Sequence, residues 1–403
     1  MAVGLRAAAN LKAVRGIRLG TAQAGVRYAD RTDLALVELA QGSVTAATFT
    51  RNAFQAAPVL VAKQHLAAAA ARFWLINSGN ANAATGKPGI DDARATCALV
   101  AACGDVLAEQ VLPFSTGVIG ERMPISAFER GVKEAHAALR DDGWDAAARA
   151  IMTTDTEPKG ASASITLSTG QCTLTGIVKG SGMIRPDMAT MLAFVATDAA
   201  IDAADLDACL RIAVEQSFNR VTVDGDTSTN DACVLTATGA AGVSAAGSAD
   251  LALFQHALNT LCLELAQALV RDGEGATKFI EVRVEGGRDA QECLSVAYTV
   301  AHSPLVKTAM FASDANWGRI VMAIGRAGVD ALDIEGVNVF LGDVCIVRSG
   351  GRADGYTEEA GQQVMSNEEI SVRIELGRGS AAETIWTSDL SHGYVSINAE
   401  YRS

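Results

Sequence analysis

The most informative stretch of the sequence is a glycine-containing loop that leads into a lone threonine. Residues 179–185 (Lys-Gly-Ser-Gly-Met-Ile-Arg) come shortly before Thr190, which stands directly before the apolar run Met191 to Ala196. A β-branched residue at the start of a buried strand is ordinarily only a strand former. The functional interpretation is that the chain cuts itself between Ala189 and Thr190. Thr190 would then be an N-terminal nucleophile on a rigid strand.

A threonine hydroxyl becomes nucleophilic when a neighbouring base takes its proton, and a terminal α-amine can be that base. The ordinary pKa of an α-amine is about 7.7–8.0, so roughly a seventh of it is neutral at pH 7. A nearby Lys179 ammonium would lower that pKa and raise the neutral fraction. No histidine is then needed, which agrees with a chain that has five histidines and no HExxH pattern.

Reactive side chains elsewhere in the sequence indicate neither a metal nor a cofactor. The eight cysteines form no CxxC pair and the histidines form no close pair, so we expect no metal site and a reducing cytoplasm. The segment Gly225–Asn230 lacks the GxxxxGK[ST] pattern of a phosphate loop, and residues 180–185 fail GxGxxG at the last position. We therefore expect no nucleotide cofactor.

The composition is that of an acidic, folded chain. It has 403 residues, 49% of them hydrophobic, and 33 basic against 46 acidic side chains give a net charge of −13. That charge repels phosphate backbones and anionic lipid, so we expect no nucleic-acid or membrane partner. The start of the chain is basic and has no acidic residue before Asp30, which resembles a mitochondrial transit peptide. Because its first twenty residues contain no serine, we expect a cytoplasmic protein instead.

The hydrophobic pattern changes repeatedly between helical and strand periods, which is typical of an α/β or α+β fold. The predicted elements are a strand at Phe73–Ile76, a loop over 77–86, a helix over Asp91–Ala108, a helix from Leu206 to Phe218 capped by Asp202 or Asp205, a helix over Leu253–Val270, and half-buried strands at Ile280–Val284 and Ile370–Leu376. We expect a catalytic α/β domain over residues 1–280 and a smaller C-terminal α+β lid over residues 281–403.

Several long motifs occur in a fixed order along the chain. They are residues 21–25 (Thr-Ala-Gln-Ala-Gly), 76–82 (Ile-Asn-Ser-Gly-Asn-Ala-Asn), 113–120 (Pro-Phe-Ser-Thr-Gly-Val-Ile-Gly), 152–156 (Met-Thr-Thr-Asp-Thr), 179–183, 188–192 (Met-Ala-Thr-Met-Leu), 224–231 (Asp-Gly-Asp-Thr-Ser-Thr-Asn-Asp), 271–278 (Arg-Asp-Gly-Glu-Gly-Ala-Thr-Lys), 388–398 and 401–403. In these motifs the sequence resembles the ornithine acetyltransferase family, the bifunctional glutamate N-acetyltransferases of arginine biosynthesis. The resemblance extends from about Thr21 to Ser403.

The resemblance implies a self-cleaving acyltransferase. Cleavage before Thr190 would give an α chain of residues 1–189 and a β chain of residues 190–403, assembled as a heterotetramer of two α and two β chains. Thr190 would carry the acetyl group, and the Thr116 hydroxyl and Gly117 amide would form the oxyanion hole. The residues implied to bind the amino-acid substrate are Thr153, Lys179, Thr190, Glu274, Asn398 and Ser403. The implied fold is a layered α/β/β/α sandwich that resembles N-terminal nucleophile hydrolases but is connected differently.

Each of these positions also has a plain structural interpretation. Residues 115–117 could form an ordinary turn, Glu274 could be a loop acid, residues 152–155 could cap or end a helix, and residues 398–403 could be a frayed terminus. In the functional interpretation, losing one oxyanion-hole donor costs about 2.7–4 kcal/mol. Glu274 would pair with the side-chain ammonium of ornithine, and the tail would fold back into the site.

The implied reaction is a ping-pong acetyl transfer from N2-acetyl-L-ornithine to L-glutamate, which yields L-ornithine and N-acetyl-L-glutamate. The residues leave open acetyl-CoA as an additional donor. One alternative is a self-cleaving amidohydrolase or aminopeptidase of the same broad fold, which would pass the acyl group to water. Another is a non-catalytic amino-acid-binding protein, which would not cut itself.

Self-cleavage predicts that the purified protein contains two chains, residues 1–189 and 190–403, when its mass is measured under denaturing conditions. Thr190→Ala removes the nucleophilic hydroxyl, so we expect this variant to remain a single chain. An uncut wild-type chain would contradict the assignment of Thr190 as a self-generated nucleophile.

Overall fold

The computed structural model describes residues 2–5, 7–8, 10–185 and 191–400. These residues form two compact units. The larger, N-terminal unit comprises residues 6–219 and 226–269, and the C-terminal unit comprises residues 1–5, 220–225 and 270–403. The predicted boundary at residue 280, the predicted lid and the cut before Thr190 stay predictions.

The strands of the described residues alternate with helices along most of the chain. They are β1 (Ile17–Ala22), β2 (Leu34–Leu39), β3 (Val44–Phe49), β4 (Phe73–Asn80), β5 (Val111–Val118), β6 (Lys159–Leu167), β7 (Gly170–Lys179), β8 (Leu192–Thr197), β9 (Val221–Thr222), β10 (Ala232–Ala237), β11 (Phe279–Gly287), β12 (Asn338–Leu341), β13 (Val344–Arg348), β14 (Gly351–Arg352), β15 (Glu369–Glu375) and β16 (Ala381–Ser388). The three strands expected from periodicity are thus present as parts of β4, β11 and β15.

The α-helices are of moderate length apart from one long helix in the middle of the chain. They are α1 (Ala57–Ala68), α2 (Gly86–Gly104), α3 (Ile125–Ala137), α4 (Trp144–Ala150), α5 (Ala203–Gln216), α6 (Ser248–Arg271), α7 (Ala290–Ala301), α8 (Pro304–Phe311), α9 (Trp317–Gly325), α10 (Glu358–Met365) and α11 (His392–Ala399). Within the described part of the chain, no helix combines the length and the apolar character needed to cross a membrane.

The N-terminal unit contains two sheets, with the strand orders β1-β2-β4-β5 and β3-β10-β8-β7-β6. In the first sheet β4 and β5 run parallel, and in the second sheet β8 lies between the parallel β10 and the antiparallel β7. Every residue of β8 is buried. A strand covered on both faces reads as a continuous apolar run, and this explains the pattern from Leu192 onward.

The inner faces of the two sheets share one hydrophobic core. Phe194 of the second sheet lies with its ring 5.5 Å from Trp74 and 5.1 Å from Phe114, both on the first sheet. The same cluster includes Ile177 and Val234 of the second sheet. Aromatic rings at such separations add to the stability that comes from burying their area. The two sheets therefore stack face to face.

Helices cover the outer faces of both sheets. On the first sheet, Cys97 of α2 and Phe128 of α3 pack with strand residues such as Phe73. On the second sheet, Leu261 and Leu265 of α6 pack against Gly176. A Cβ on Gly176 would lie 3.0 Å from a methyl carbon of Leu261 and 3.1 Å from one of Leu265. These layers confirm the predicted α/β/β/α sandwich.

The three predicted helices differ in detail from their predicted bounds, and α6 begins at Ser248 and ends at Arg271 where Leu253–Val270 was predicted. Helix α2 begins at Gly86 and ends at Gly104, because Asp105 adopts a left-handed conformation with φ 51°. Helix α5 begins after Asp202, whose side chain accepts a hydrogen bond from the backbone N–H of Asp205 at 2.9 Å. Asp202 is therefore the N-cap, and Asp205 supplies the amide that it binds.

The C-terminal unit is built on a sheet with the order β14-β13-β12-β15-β11-β16-β9. The alternating burial of β15 shows that one face is covered and one is partly open to solvent. Its covered face includes Val282 and Val372, which pack with Val296 of α7 and Ile320 of α9. This confirms the predicted smaller α+β unit.

Candidate active site

Thr116 and Gly117 lie near the carboxyl end of β5, where this strand pairs with β4. The pairing is regular until Gly79 opposes Gly117, and then Asn80 pairs with both Thr116 and Val118. Such an irregularity bends a strand and changes the direction of its side chains and amides. The segment is thus not the ordinary turn that the sequence alone favoured, but the end of a buried parallel strand.

Gly117 occupies a position where any residue with a Cβ would overlap its neighbours. Its φ is +132°, and a Cβ there would lie 2.2 Å from the carbonyl carbon of Gly79 and 2.5 Å from the nitrogen of Asn80. Both neighbours are backbone atoms, so they cannot move aside as a side chain could. Glycine lets the two strands approach closely enough to hold the Thr116–Gly117 backbone in place.

Asparagine amides fix the backbone around this strand end. The Asn230 amide donates to the carbonyl oxygens of Ala81, at 2.6 Å, and Ser115, at 2.8 Å. The Ser115 hydroxyl donates to the Asn77 side-chain oxygen at 2.6 Å. Asn230 belongs to the segment that was compared with a phosphate loop, and here it satisfies buried carbonyl groups instead.

Lys179 is the last residue of β7, and it is 4% exposed. Its Nζ donates a hydrogen bond to Thr116 Oγ1 at 3.1 Å. In the sheet Lys179 is paired with Leu192, the second residue after Thr190. Met191, which lies between Thr190 and Leu192 in the chain, is buried, and its carbonyl accepts a hydrogen bond from the Ala232 amide at 3.1 Å. Ala189 and Thr190 themselves lie outside the described residues.

Asp155 lies in the 152–156 motif, but no local sequence pattern distinguishes it from an acid that caps or ends a helix. Its Oδ1 accepts from Lys159 Nζ at 2.6 Å and from the Gly180 amide at 2.7 Å. Its Oδ2 accepts from the Thr153 amide at 2.9 Å and lies 3.5 Å from the Thr153 hydroxyl. The signal in the sequence is weak: an acid four residues before a lysine that opens a strand.

Asp155 is ionised at neutral pH. Burial by itself would raise the pKa of this carboxyl, but the ammonium groups of Lys159 and Lys179 hold the pKa well below its usual range. The side chains of Asp155 and Lys159 are both fully buried. A buried ion pair of this kind is stable only when its hydrogen bonds are made, as they are here.

The backbone amide and the backbone carbonyl of Thr153 are both hydrogen-bonded. Asp155 binds its amide, and the Arg31 guanidinium donates to its carbonyl oxygen at 3.3 Å and also to the carbonyl of Met152. The predicted residues Thr116 and Lys179 are hydrogen-bonded to each other, and Asp155 binds both Thr153 and Gly180, the residue after Lys179. The N-terminal unit thus places an ammonium beside a threonine hydroxyl, and Gly117 directly follows that threonine in the chain.

Two further predicted residues that the structure describes, Glu274 and Asn398, lie in the C-terminal unit. Glu274 is 8% exposed, and its Oε2 accepts a hydrogen bond from the Asn398 amide at 2.7 Å. Asn398 lies on α11 and also donates to the Tyr394 carbonyl at 3.0 Å. The end of the chain up to Asn398 is thus a helix that binds Glu274, not a frayed terminus. Ser403 lies outside the described residues.

The loop that carries Glu274 is anchored next to the start of α11. The Ser391 hydroxyl donates to the Gly275 carbonyl at 2.5 Å, and a Cβ at Gly275 would lie 2.4 Å from the Tyr394 nitrogen. Further along the loop, Asp389 accepts from the amides of Thr277, at 2.8 Å, and Lys278, at 2.9 Å. These contacts hold the Glu274 carboxylate in one position.

Fold and site together define an α/β/β/α protein with a buried ammonium–hydroxyl pair beside the strand that follows Thr190. A sequence model of the ArgJ family matches residues 18–403, and the chain belongs to that family. This confirms the resemblance inferred from the motifs.

Individual relatives agree with this result. The arginine biosynthesis bifunctional protein ArgJ of Pseudomonas fluorescens (strain Pf0-1) is 53% identical over 406 residues, which cover 100% of both chains. The protein of the same name from Methylococcus capsulatus is 55% identical over 392 residues, covering 97% of this chain and 96% of the relative. A crystal structure of the argJ protein from Bacillus halodurans is 40% identical with a TM-score of 0.50, covering 52% of this chain and 99% of that one.

Gly117→Ala should lower the thermal stability of the protein and displace Thr116, because the new Cβ would overlap the backbone of β4. Backbone strain of this kind costs on the order of 1–3 kcal/mol before the overlap is counted. The control is Gly120→Ala, which also has positive φ, at +89°, but has no atom within 4 Å of its Cβ position. Unfolding midpoints of both variants test the prediction, and an equal loss in both would contradict it.

Proposed function

We propose that this protein transfers the acetyl group of N2-acetyl-L-ornithine to L-glutamate through an acetyl-Thr190 intermediate. The observation that carries the proposal is the 3.1 Å hydrogen bond from Lys179 Nζ to Thr116 Oγ1, next to the strand that follows Thr190. Membership of the ArgJ family and relatives named for arginine biosynthesis support it. The proposal includes self-cleavage between Ala189 and Thr190.

The hydrogen bond determines what Thr116 can do. A lysine ammonium has three donors and no acceptor, so the Thr116 oxygen must accept in this contact. The hydroxyl has one proton, and that proton remains for a second partner. A cation bound to the oxygen also strengthens the O–H as a donor, since hydrogen bonds in a chain polarise one another. Thr116 is therefore prepared to donate to an oxyanion.

In the proposed first half-reaction, the Thr190 hydroxyl attacks the acetyl carbonyl and its own α-amine takes the hydroxyl proton. The oxyanion accepts hydrogen bonds from the Thr116 hydroxyl and the Gly117 amide. The ammonium of Thr190 then gives the proton to the leaving nitrogen, and ornithine departs. In the second half-reaction, glutamate's amine attacks the acetyl-Thr190 ester, and the same groups act in reverse.

Substrate binding is proposed for Thr153, Lys179, Glu274, Asn398 and Ser403, in addition to Thr190. The Glu274 carboxylate is suited to the side-chain ammonium of ornithine, because a charge-assisted hydrogen bond is stronger than a neutral one. The neutral amide of Asn398 donates a hydrogen bond to one Glu274 carboxylate oxygen at 2.7 Å and does not cancel the negative charge of that carboxylate. Since amide is exchanged for amide, the reaction needs no ATP, and we propose no cofactor.

We also propose that the cleaved chains assemble as a heterotetramer of two α and two β chains in the cytoplasm. The acidic net charge of −13 and the absence of a spanning helix among the described residues are compatible with an enzyme that handles small amino acids.

Acetyl-CoA supplied in place of acetylornithine would test whether the protein also makes N-acetylglutamate from that donor.

With N2-acetylornithine and glutamate together, we expect equal amounts of ornithine and N-acetylglutamate, measured by mass spectrometry. With acetylornithine alone, ornithine release should stop at about one equivalent per active site, and the fragment beginning at Thr190 should gain the mass of one acetyl group. Continuous release of acetate without glutamate would contradict the proposal and indicate a hydrolase instead.

Thr116→Val keeps the shape of the side chain and removes the hydroxyl, so we expect kcat for acetyl transfer to fall about 10²–10³-fold. KM should change little, because the oxyanion exists only along the reaction path. Thr116→Ser keeps a hydroxyl within reach of Lys179 and is expected to retain most of the activity. Similar activity in the Val and Ser variants, measured by initial rates, would rule out Thr116 as an oxyanion donor.

A further inference from the structure

The carboxylate of Asp155 connects two segments of the N-terminal unit, residues 153–159 and the end of β7, where Gly180 lies 25 residues after Asp155. Its two oxygens together receive hydrogen bonds from Lys159, from the Gly180 amide and from Thr153. Gly180 directly follows Lys179, and Thr153 is a proposed substrate ligand. Asp155 is fully buried at its side chain, so none of these bonds competes with bulk water.

We propose that Asp155 is a positioning residue that holds Lys179 and Thr153 in the geometry needed for acetyl transfer. This inference rests on the proposed function. Asp155 touches no reacting atom in the proposed mechanism. It acts through the Gly180 amide, which sets where β7 ends, and through the Thr153 amide, which sets where the substrate-binding loop lies.

The geometry around the carboxylate favours a positioning role over simple neutralisation of Lys159. A neutralising carboxylate needs one contact with its cation, whereas Asp155 uses one oxygen for Lys159 and Gly180 and the other for Thr153. The same two segments meet a second time where the Thr154 and Ser181 hydroxyls lie 2.6 Å apart. Arg31 binds the carbonyl side of the Thr153 loop. The contacts with the Gly180 amide, the Thr153 amide and the Thr153 carbonyl all orient backbone groups.

The charge distribution also suits the proposed oxyanion. Asp155 forms an ion pair with Lys159, and the charges of both Lys159 and Lys179 lower its pKa. One carboxylate therefore serves two buried ammonium groups. The second ammonium, Lys179, extends to Thr116 at 3.1 Å, where negative charge is proposed to develop. Asp155 fixes the position of this cation without cancelling the positive charge of the pair.

Asp155→Asn tests the proposal, because an asparagine has one acceptor oxygen where aspartate has two. Its NH2 must face the donors of either Thr153 or the Lys159–Gly180 pair, so one segment loses its anchor. We expect kcat for acetyl transfer to fall about 100-fold, as for a misplacement of roughly 1 Å. Combined with Thr116→Val, the loss should be smaller than the product of the two single losses, because both variants damage the same donor.

Asp155→Asn also leaves Lys159 buried without its carboxylate, and this alone could prevent folding. The double variant Asp155→Asn/Lys159→Met removes both charges. If Asp155 only neutralised Lys159, this variant would regain wild-type kcat, and the proposal would be overturned. If Asp155 positions the site, kcat stays about 100-fold low although the unfolding midpoint recovers.

The matched control is Asp198→Asn. Asp198 is a buried aspartate that accepts from the Thr173 amide at 2.6 Å, at the opposite end of the β7–β8 pair. It should leave kcat unchanged although it also removes the negative charge of a buried carboxylate.

A crystal structure of the double variant gives a test that does not depend on the reaction. Positioning predicts that Lys179 Nζ moves out of hydrogen-bond range of Thr116 Oγ1 or that the Thr153 amide loses its contact with residue 155. A retained distance near 3.1 Å together with a retained Thr153 contact would overturn the inference. If the wild-type protein transfers no acetyl group, the proposed function fails, and this distance still decides whether Asp155 positions Lys179.

Discussion

Two buried ammonium groups that share one carboxylate are the constraint on which the N-terminal unit depends. A buried charge costs several kcal/mol unless it is paired and hydrogen-bonded. Lys159 and Lys179 are both buried, and the Asp155 carboxylate interacts electrostatically with both of them. This requirement brings the chain near residue 155 beside the end of β7. The position of Lys179, and through it the orientation of Thr116, follows from satisfying that charge.

The second constraint is close approach of backbone. β5 can meet β4 beyond residue 116 because Gly117 has no side chain, since a Cβ there would overlap the backbone of Gly79 and Asn80. Where the pairing becomes irregular, carbonyl groups lose regular partners, and buried carbonyls without partners are costly. The Asn230 amide supplies those partners at Ala81 and Ser115. A segment rich in glycine and asparagine, which would be mobile elsewhere, is therefore rigid here.

The C-terminal unit uses the same physical device with other residues. Asp389 binds the amides that follow Glu274, and the buried Lys307 donates to the Thr387 hydroxyl at 2.9 Å. Burial lowers the pKa of Lys307 to about 8, although the charges of Asp389 and Asp224 oppose that shift. Polar groups buried at the end of β16 thus hold the loop and the helix between which Glu274 and Asn398 meet. In both units, the positions of the residues proposed to bind substrate depend on buried polar groups whose partners come from distant segments.

The sequence by itself determined the family, the α/β class and several of the elements, because these depend on local pattern. Periods of two and 3.6 residues mark strands and helices, and the glycine, asparagine and threonine motifs keep their order along the chain. Asp202 could be named as one of two caps, since capping depends on residues three apart. Thr116, Gly117, Lys179, Thr153, Glu274 and Asn398 were named through the resemblance. The structure shows hydrogen bonds between Lys179 and Thr116 and between Asn398 and Glu274, and it shows Thr153 bound to Asp155. The cut before Thr190 stays a prediction.

Only the tertiary structure decided how those residues are held. Asp155 and Gly180 are 25 residues apart, and Asn230 and Ser115 are 115 apart. Strand register and hydrogen bonds over such separations leave no local pattern, since any buried acid or amide could in principle serve. The α2 bounds differed from the prediction for a related reason: a left-handed residue at Asp105 ends the helix earlier than its alanine-rich composition indicates. Local pattern names the elements and the reactive side chains, whereas the pairing of buried charges and amides requires the whole fold.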